Sequence, residues 1–266
     1  MSFARIYAVF LRYFFLLRNS PQRFVQIFIW ATLDIVLWGF VTRYLNDIGG
    51  ATFSFTPIIL GAVILWSFLV RAQQGLSTPA LEDTWSHNLL NYFASPLKMG
   101  EYILGLAGAS IITSIIGLAL VLTLAYLFFG LSIFVLGIML APFLLVLFGF
   151  GIALGIIAIA MITRYGPSAE WFVWPIPAVI EPLCGVLYPI SVMPQWMQYI
   201  SYVLPPSYVF AGMRDVLLNG QMEVSVLGWG ALLCLLYLIG AYFIYVKIFR
   251  QAMRSGSIVR YSAENI

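Results

Sequence analysis

Between Glu101 and Arg164 the chain runs for 62 residues, 102 to 163, without one charged side chain. At roughly 1.5 Å per helical residue, that stretch is far longer than the ~30 Å needed to cross a hydrocarbon core once. It predicts two spans, from about Tyr102 to Phe128 and from Phe134 to Ile162, joined by a tight turn at Phe129-Gly130-Leu131-Ser132. In water an apolar surface of that extent aggregates. The rest of the chain agrees, because 62% of its 266 residues are apolar and 9% charged. An average soluble domain carries about 25% charged residues, so a water-soluble fold is excluded. Disorder, nucleic-acid binding and a disulfide scaffold are excluded with it.

Other nearly uncharged runs complete the count. Phe24 to Thr42 holds only Asp34, Pro57 to Pro79 holds only Arg71, and Val224 to Val246 holds no charge. Trp171 to Met213 contains only Glu181, but prolines at 175, 177, 182, 189, 194, 205 and 206 interrupt any continuous helix. Backbone broken at membrane depth survives where it is buried in protein or lines a wet cavity. The segment therefore predicts one span, about Trp171 to Tyr188, followed by a short re-entrant pair of half-helices. The expectation is an all-α membrane protein with six transmembrane helices. A count of five or seven follows if the proline-rich region divides differently. Arg5, Arg12, Arg18 and Arg23 flank the first crossing and Lys247, Arg250, Arg254 and Arg260 follow the last. The positive-inside rule then places both termini in the cytoplasm. No small-residue cleavage site follows a clean apolar core near the start, so no removable signal peptide is expected.

Two pieces lie outside the spans. Phe3, Ile6, Tyr7, Phe10, Leu11, Phe14 and Leu17 recur at helical spacing with Arg5 and Arg12 on another face, the pattern of an amphipathic helix in the membrane interface. The alternative, an extension of the first span, is opposed by Asn19-Ser20-Pro21. The second piece is LEDTWSHNLLNYFASPLKMGEYILG, 81 to 105. Asp83 or Thr84 can cap a short helix, Glu82 suits its positive end, and Pro96 stops it. Trp85, Leu89, Leu90 and Phe93 then share a face, which either lies on lipid headgroups or docks into a groove on a partner protein.

This order of interface helix, two spans, acidic turn with a short helix, and four more spans resembles the type-2 ABC exporter permeases over nearly the whole chain. The residues that carry the resemblance are Glu82 with Ser95-Pro96-Leu97, then Glu101 and Gly105, and Pro205 with Gly212-Met213-Arg214 in LPPSYVFAGMR. The resemblance implies a single permease domain, 1 to 266, with an interface helix at 1–20, a coupling helix at 81–97 and a re-entrant segment at 191–215. It implies that Glu82, Asp83, Trp85, Leu89, Leu90 and Phe93 engage a separate ATP-binding subunit. Pro205 and Arg214 would belong to an outer gate, and a second permease copy, most simply an identical one, would complete the path in the cytoplasmic membrane. An amphipathic cargo such as a glycolipid or polysaccharide, a lipid or a drug suits so apolar an exporter.

Energy must come from elsewhere, since no GxxxxGK[ST] occurs. Gly149, Gly151 and Gly155 superficially match a dinucleotide fingerprint, but a small-xxx-small packing face at Gly151 and Gly155 explains them better. One histidine, His87, and two separated cysteines, Cys184 and Cys234, supply neither a metal site nor a catalytic set, and no cofactor is expected. Charges inside spans usually face protein or a watery path. Asp34, flanked by Trp30 and Trp38 at i−4 and i+4, is a path residue or an interhelix contact. Glu181 beside Pro182 contributes to a gate or satisfies freed backbone, and Arg71 snorkels or pairs. Most aromatic residues read as interface belts, with Trp30 and Trp66 as candidates for a pore wall. The rival reading is an ATP-independent secondary transporter or channel using Asp34 and Glu181. That class shows broken spans in both halves, and here only the second half is broken.

Overall fold

The computed structural model describes residues 1–49, 55–86, 88, 91–92, 95–220 and 223–255, and among these there are helices and no strands. In chain order they are α1 (Phe3–Asn19), α2 (Pro21–Gly49), α3 (Thr56–Trp85), α4 (Met99–Phe129), α5 (Leu140–Tyr165), α6 (Glu170–Val173), α7 (Pro175–Ile180), α8 (Gln195–Ser201), α9 (Pro205–Asn219) and α10 (Val224–Ser255).

Among the described residues, four segments are long and apolar enough to cross a bilayer: Thr56–Trp85, Met99–Phe129, Leu136–Ala169 and Val224–Arg254. The six-span expectation is met only in this coarser form. α2 has the length, at 29 residues, but Arg23, Asp34, Arg43 and Asp47 make it less apolar than the other four. The expected span from Trp171 to Tyr188 is not one helix. It is a series of short pieces, of which the apolar stretch Pro175–Cys184 covers only about half the hydrocarbon thickness. Pro175, Pro177 and Pro182 each remove a backbone donor, so the helix restarts rather than continues. The segment expected at 191–215 contains α8, the turn before Pro205 and most of α9.

α3 and α5 form the centre, and most of their faces are buried, whereas α4 and α10 expose long apolar faces of the kind lipid covers. The central pair approaches closely because of glycine. A Cβ on Gly151 would lie 2.7 Å from the Leu69 carbonyl oxygen, and one on Gly155 would lie 2.8 Å from the Leu76 Cβ. This is the packing face that the glycine spacing predicts. Replacing Gly155 with leucine forces the two backbones apart, and we expect a loss of about 1–3 kcal/mol, read as a lowered melting temperature of the purified chain.

The buried residues divide into two clusters along the bundle. One gathers Val9, Leu76, Leu81, Tyr102, Ile159 and Tyr245, and defines the α1 end. The other gathers Ile35, Leu60, Ala125, Cys184, Phe210 and Leu227 at the far end. There the turn after α4 falls where the uncharged run predicts it. Gly130 adopts φ 65°, and its N–H and that of Leu131 return to the carbonyls of Tyr126 and Ala125. That left-handed conformation favours a residue without a Cβ.

Candidate functional site

At the α1 end, two arginines of α1 fasten the segment that links α3 to α4. Asp83 is buried, 2% exposed, yet four donors converge on its carboxylate. The Arg12 guanidinium reaches it bidentately, Nη1 at 3.2 Å from Oδ2 and Nη2 at 2.6 Å from Oδ1. Tyr102 donates its hydroxyl to Oδ2 at 2.8 Å, and Asn88 its amide to Oδ1 at 3.4 Å. The same guanidinium lies 5.3 Å from the ring centre of Tyr92, a cation–π contact. Burial alone would lower the pKa of Arg12, but the Asp83 hydrogen bond and charge outweigh it, so Arg12 is held above its ordinary value. Eighteen residues on, Glu101 is fully buried and accepts from the Ser2 N–H at 2.7 Å and the Lys98 N–H at 2.9 Å. Arg5 completes this second clamp, with Nε 3.4 Å from the Glu101 carboxylate and Nη1 donating to the Pro96 carbonyl. α1 can lie this close to α4 because Gly105 leaves room for Val9.

The clamps revise one expectation. Asp83 and Thr84 do not cap a new helix; they form the last turn of α3, which passes through Pro79 to Trp85. Proline is tolerated within a membrane helix where its neighbours are packed, and here Leu76, Ala80 and Leu81 are buried. A carboxylate at a helix C-terminus opposes the dipole, which is why Asp83 is surrounded by donors. Of the residues expected to engage a partner, Asp83 is therefore consumed inside the chain. Glu82 and Trp85 line a cavity, and Leu89, Leu90 and Phe93 lie outside the described residues.

Among the described residues, two cavities run along α3. The lower, of about 530 Å³, is bounded by Tyr13 and Leu17 of α1, by Gly75, Thr78, Glu82 and Trp85 of α3, and by Thr113 of α4. The upper, of about 410 Å³, is lined by Asp34 and Trp38 of α2, by Val63, Trp66 and Ser67 of α3, and by Pro177 and Glu181. They meet at Trp30, Arg71, Gln74 and Trp174, which line both. From Trp85 to Val63 the α3 wall is about 33 Å long, comparable to the hydrocarbon thickness. The three ionisable residues of the apolar runs, 34, 71 and 181, thus share one cavity. Arg71 reaches across to a neighbouring helix. Its guanidinium crosses to α4 and lies against Gly117, where a Cβ would come 2.5 Å from its central carbon.

The far end holds the remaining candidates. Arg214 of α9 is 8% exposed and donates from Nη1 to the carbonyls of Gly185, at 2.8 Å, and Val186, at 3.2 Å. Gly185 adopts φ 62°, turning the chain after Cys184 so that these carbonyls face inward. Ser201 of α8 reaches back to the Leu183 carbonyl. Pro205 occupies the first position of α9, buried, where its missing N–H costs nothing. Pro205 and Arg214 thus hold the far-end helices in place and do not line either cavity.

The clamp residues Arg5, Arg12 and Tyr102 are those that sequence reasoning passed over. The signal available was the matched spacing: two arginines seven apart on α1, and two acids flanking the α3–α4 link. With this geometry in view, the sequence model of one family, described as ABC-2 type transporter, matches residues 6–218. No curated protein matches the chain.

Proposed function

This chain belongs to the ABC-2 type transporter family, and on that premise, as a multi-pass membrane subunit of a transporter that works with ATP-binding subunits, we propose that it is the permease of an exporter. Two copies of the chain enclose the path, each contributing six crossings, with α2 and the whole broken run from Gly166 to Cys184 as the two beyond the four long apolar ones. The α1 end faces the cytoplasm, where Lys247, Arg250 and Arg254 also lie at the end of α10. α8 and α9 form the re-entrant layer at the outer mouth, held by Arg214. The chain has no nucleotide site of its own, and the α3–α4 link is the surface that the ATP-binding subunit grips.

The observation that carries this reading is the pair of clamps. A link fastened at both ends, by Asp83 to Arg12 and by Glu101 to Arg5, transmits a push to α1, α3 and α4 together instead of flexing. Rigid-body transfer of this kind turns closure of a motor subunit into a tilt of spans. The cavities beside α3 then open toward one side or the other, and their length suits a cargo crossing the whole hydrocarbon layer.

Asn91 is exposed on the link, and the cysteines Cys184 and Cys234 are buried, so Asn91→Cys offers a site with little background. A membrane-impermeant maleimide is expected to modify it from the cytoplasmic side only, and co-expression with the ATP-binding subunit is expected to protect it. Modification from the outer face, or equal modification with and without that subunit, would falsify the assignment.

A further inference from the structure

The upper cavity is walled by Trp30, Trp38, Trp66 and Trp174 together with Asp34 and Glu181. Indole faces carry the negative side of the ring quadrupole and attract a cation within about 6 Å of the ring centre, tryptophan more strongly than any other aromatic residue. The carboxylates add attraction of the same sign, and Asp34, Trp66 and Glu181 line the same cavity. Among the described residues that line this cavity Arg71 is the one basic group, against two carboxyl groups. It also sits at the lower end, since it lines both cavities while Asp34 and Glu181 line only the upper one.

The flank of the cavity is apolar. Leu33 and Leu37 stand exposed on α2 beside Asp34, and Trp30 is 68% exposed. Such a flank accommodates a hydrocarbon tail in contact with lipid while a polar end enters the cavity. We propose that the upper cavity receives the headgroup of an amphiphile that bears an ammonium group, with the nitrogen among the indole faces and the carboxylates. A headgroup with negative charge alone does not fit, because it meets two carboxylates and four indole faces. This assignment rests on the exporter reading and names its cargo class.

The test uses the full chain in nanodiscs of an uncharged galactolipid, with empty discs subtracted. Hexyltrimethylammonium, hexylphosphocholine and hexyl sulfate share one tail and differ in charge, and calorimetric titration reads each. The two ammonium probes are expected to saturate, with hexyl sulfate at least about tenfold weaker. The double variant Asp34→Asn with Glu181→Gln is expected to bind hexyltrimethylammonium about tenfold more weakly while the affinity gap to hexyl sulfate closes. Equal affinity for ammonium and sulfate probes in the unmodified chain overturns the proposal without any variant having to fold. Unchanged ammonium affinity in a double variant that melts like the unmodified chain overturns it too. Co-purification of the ATP-binding subunits is scored separately. Lost selectivity with the complex intact rejects the cargo class alone, and selectivity without a complex rejects the exporter reading alone.

Discussion

Arg12→Ala is expected to lower the stability of the chain by about 2–3 kcal/mol, a large share of what holds a domain of this size together. Breaking a buried ion pair costs about 3–5 kcal/mol when the surviving charge is left without compensation. The figure here is smaller because the Arg12 side chain remains 35% exposed and Tyr102 and Asn88 still donate to Asp83. Asp83→Ala alone should cost less, since the arginine it frees is already partly in water. The double variant should fall short of the sum, because the second substitution removes a partner that the first has stranded. Chemical unfolding of the four proteins closes the cycle, and strict additivity would show that the pair contributes nothing. If the link is the transmission element, ATP hydrolysis by the assembled complex should persist in Arg12→Ala at temperatures where it stays folded, while transport falls.

The second large effect is expected at the far end. Arg214→Met keeps an unbranched apolar stem but removes the donors to Gly185 and Val186. Two inward-facing carbonyls then lose a charged partner, and we expect a cost of about 2–4 kcal/mol. Arg214→Lys should recover part of it, since an ammonium can reach one carbonyl but lacks the planar fork. Thermal melts of the three proteins separate these outcomes. A melting temperature for Arg214→Met equal to that of the unmodified chain would mean that the turn holds itself.

What could be read from sequence was what depends on neighbours along the chain. The turn at Gly130 follows from an uncharged run too long for one crossing, and the contact of Gly151 and Gly155 with α3 follows from two small residues one helical turn apart. The end of α3 was misplaced because Pro79 reads as a stop, although a packed membrane helix carries proline without ending. The pairs that build the candidate site are of another kind. Arg12 and Asp83 are 71 residues apart, and Asp34 lies on a different element from Glu181. For each carboxylate the sequence offers several positively charged or aromatic residues as partners, and only the packing of α1 and α2 against α3 decides among them. The link itself offered an apolar face and a turn signal, enough to mark it as a surface but not to show that Asp83 faces inward.

α4 is free of charge from Tyr102 to Phe129, 28 residues in all, which amounts to about 42 Å of greasy rod. A bilayer interior about 30 Å deep does not accept that rod upright. The helix must lean, or the lipids around it must stretch, and either response makes the protein sensitive to acyl-chain length. Because Glu101 and Tyr102 sit at the foot of this same helix, the lean of α4 and the seating of α1 are set together: membrane thickness acts on the link through the very helix that anchors it.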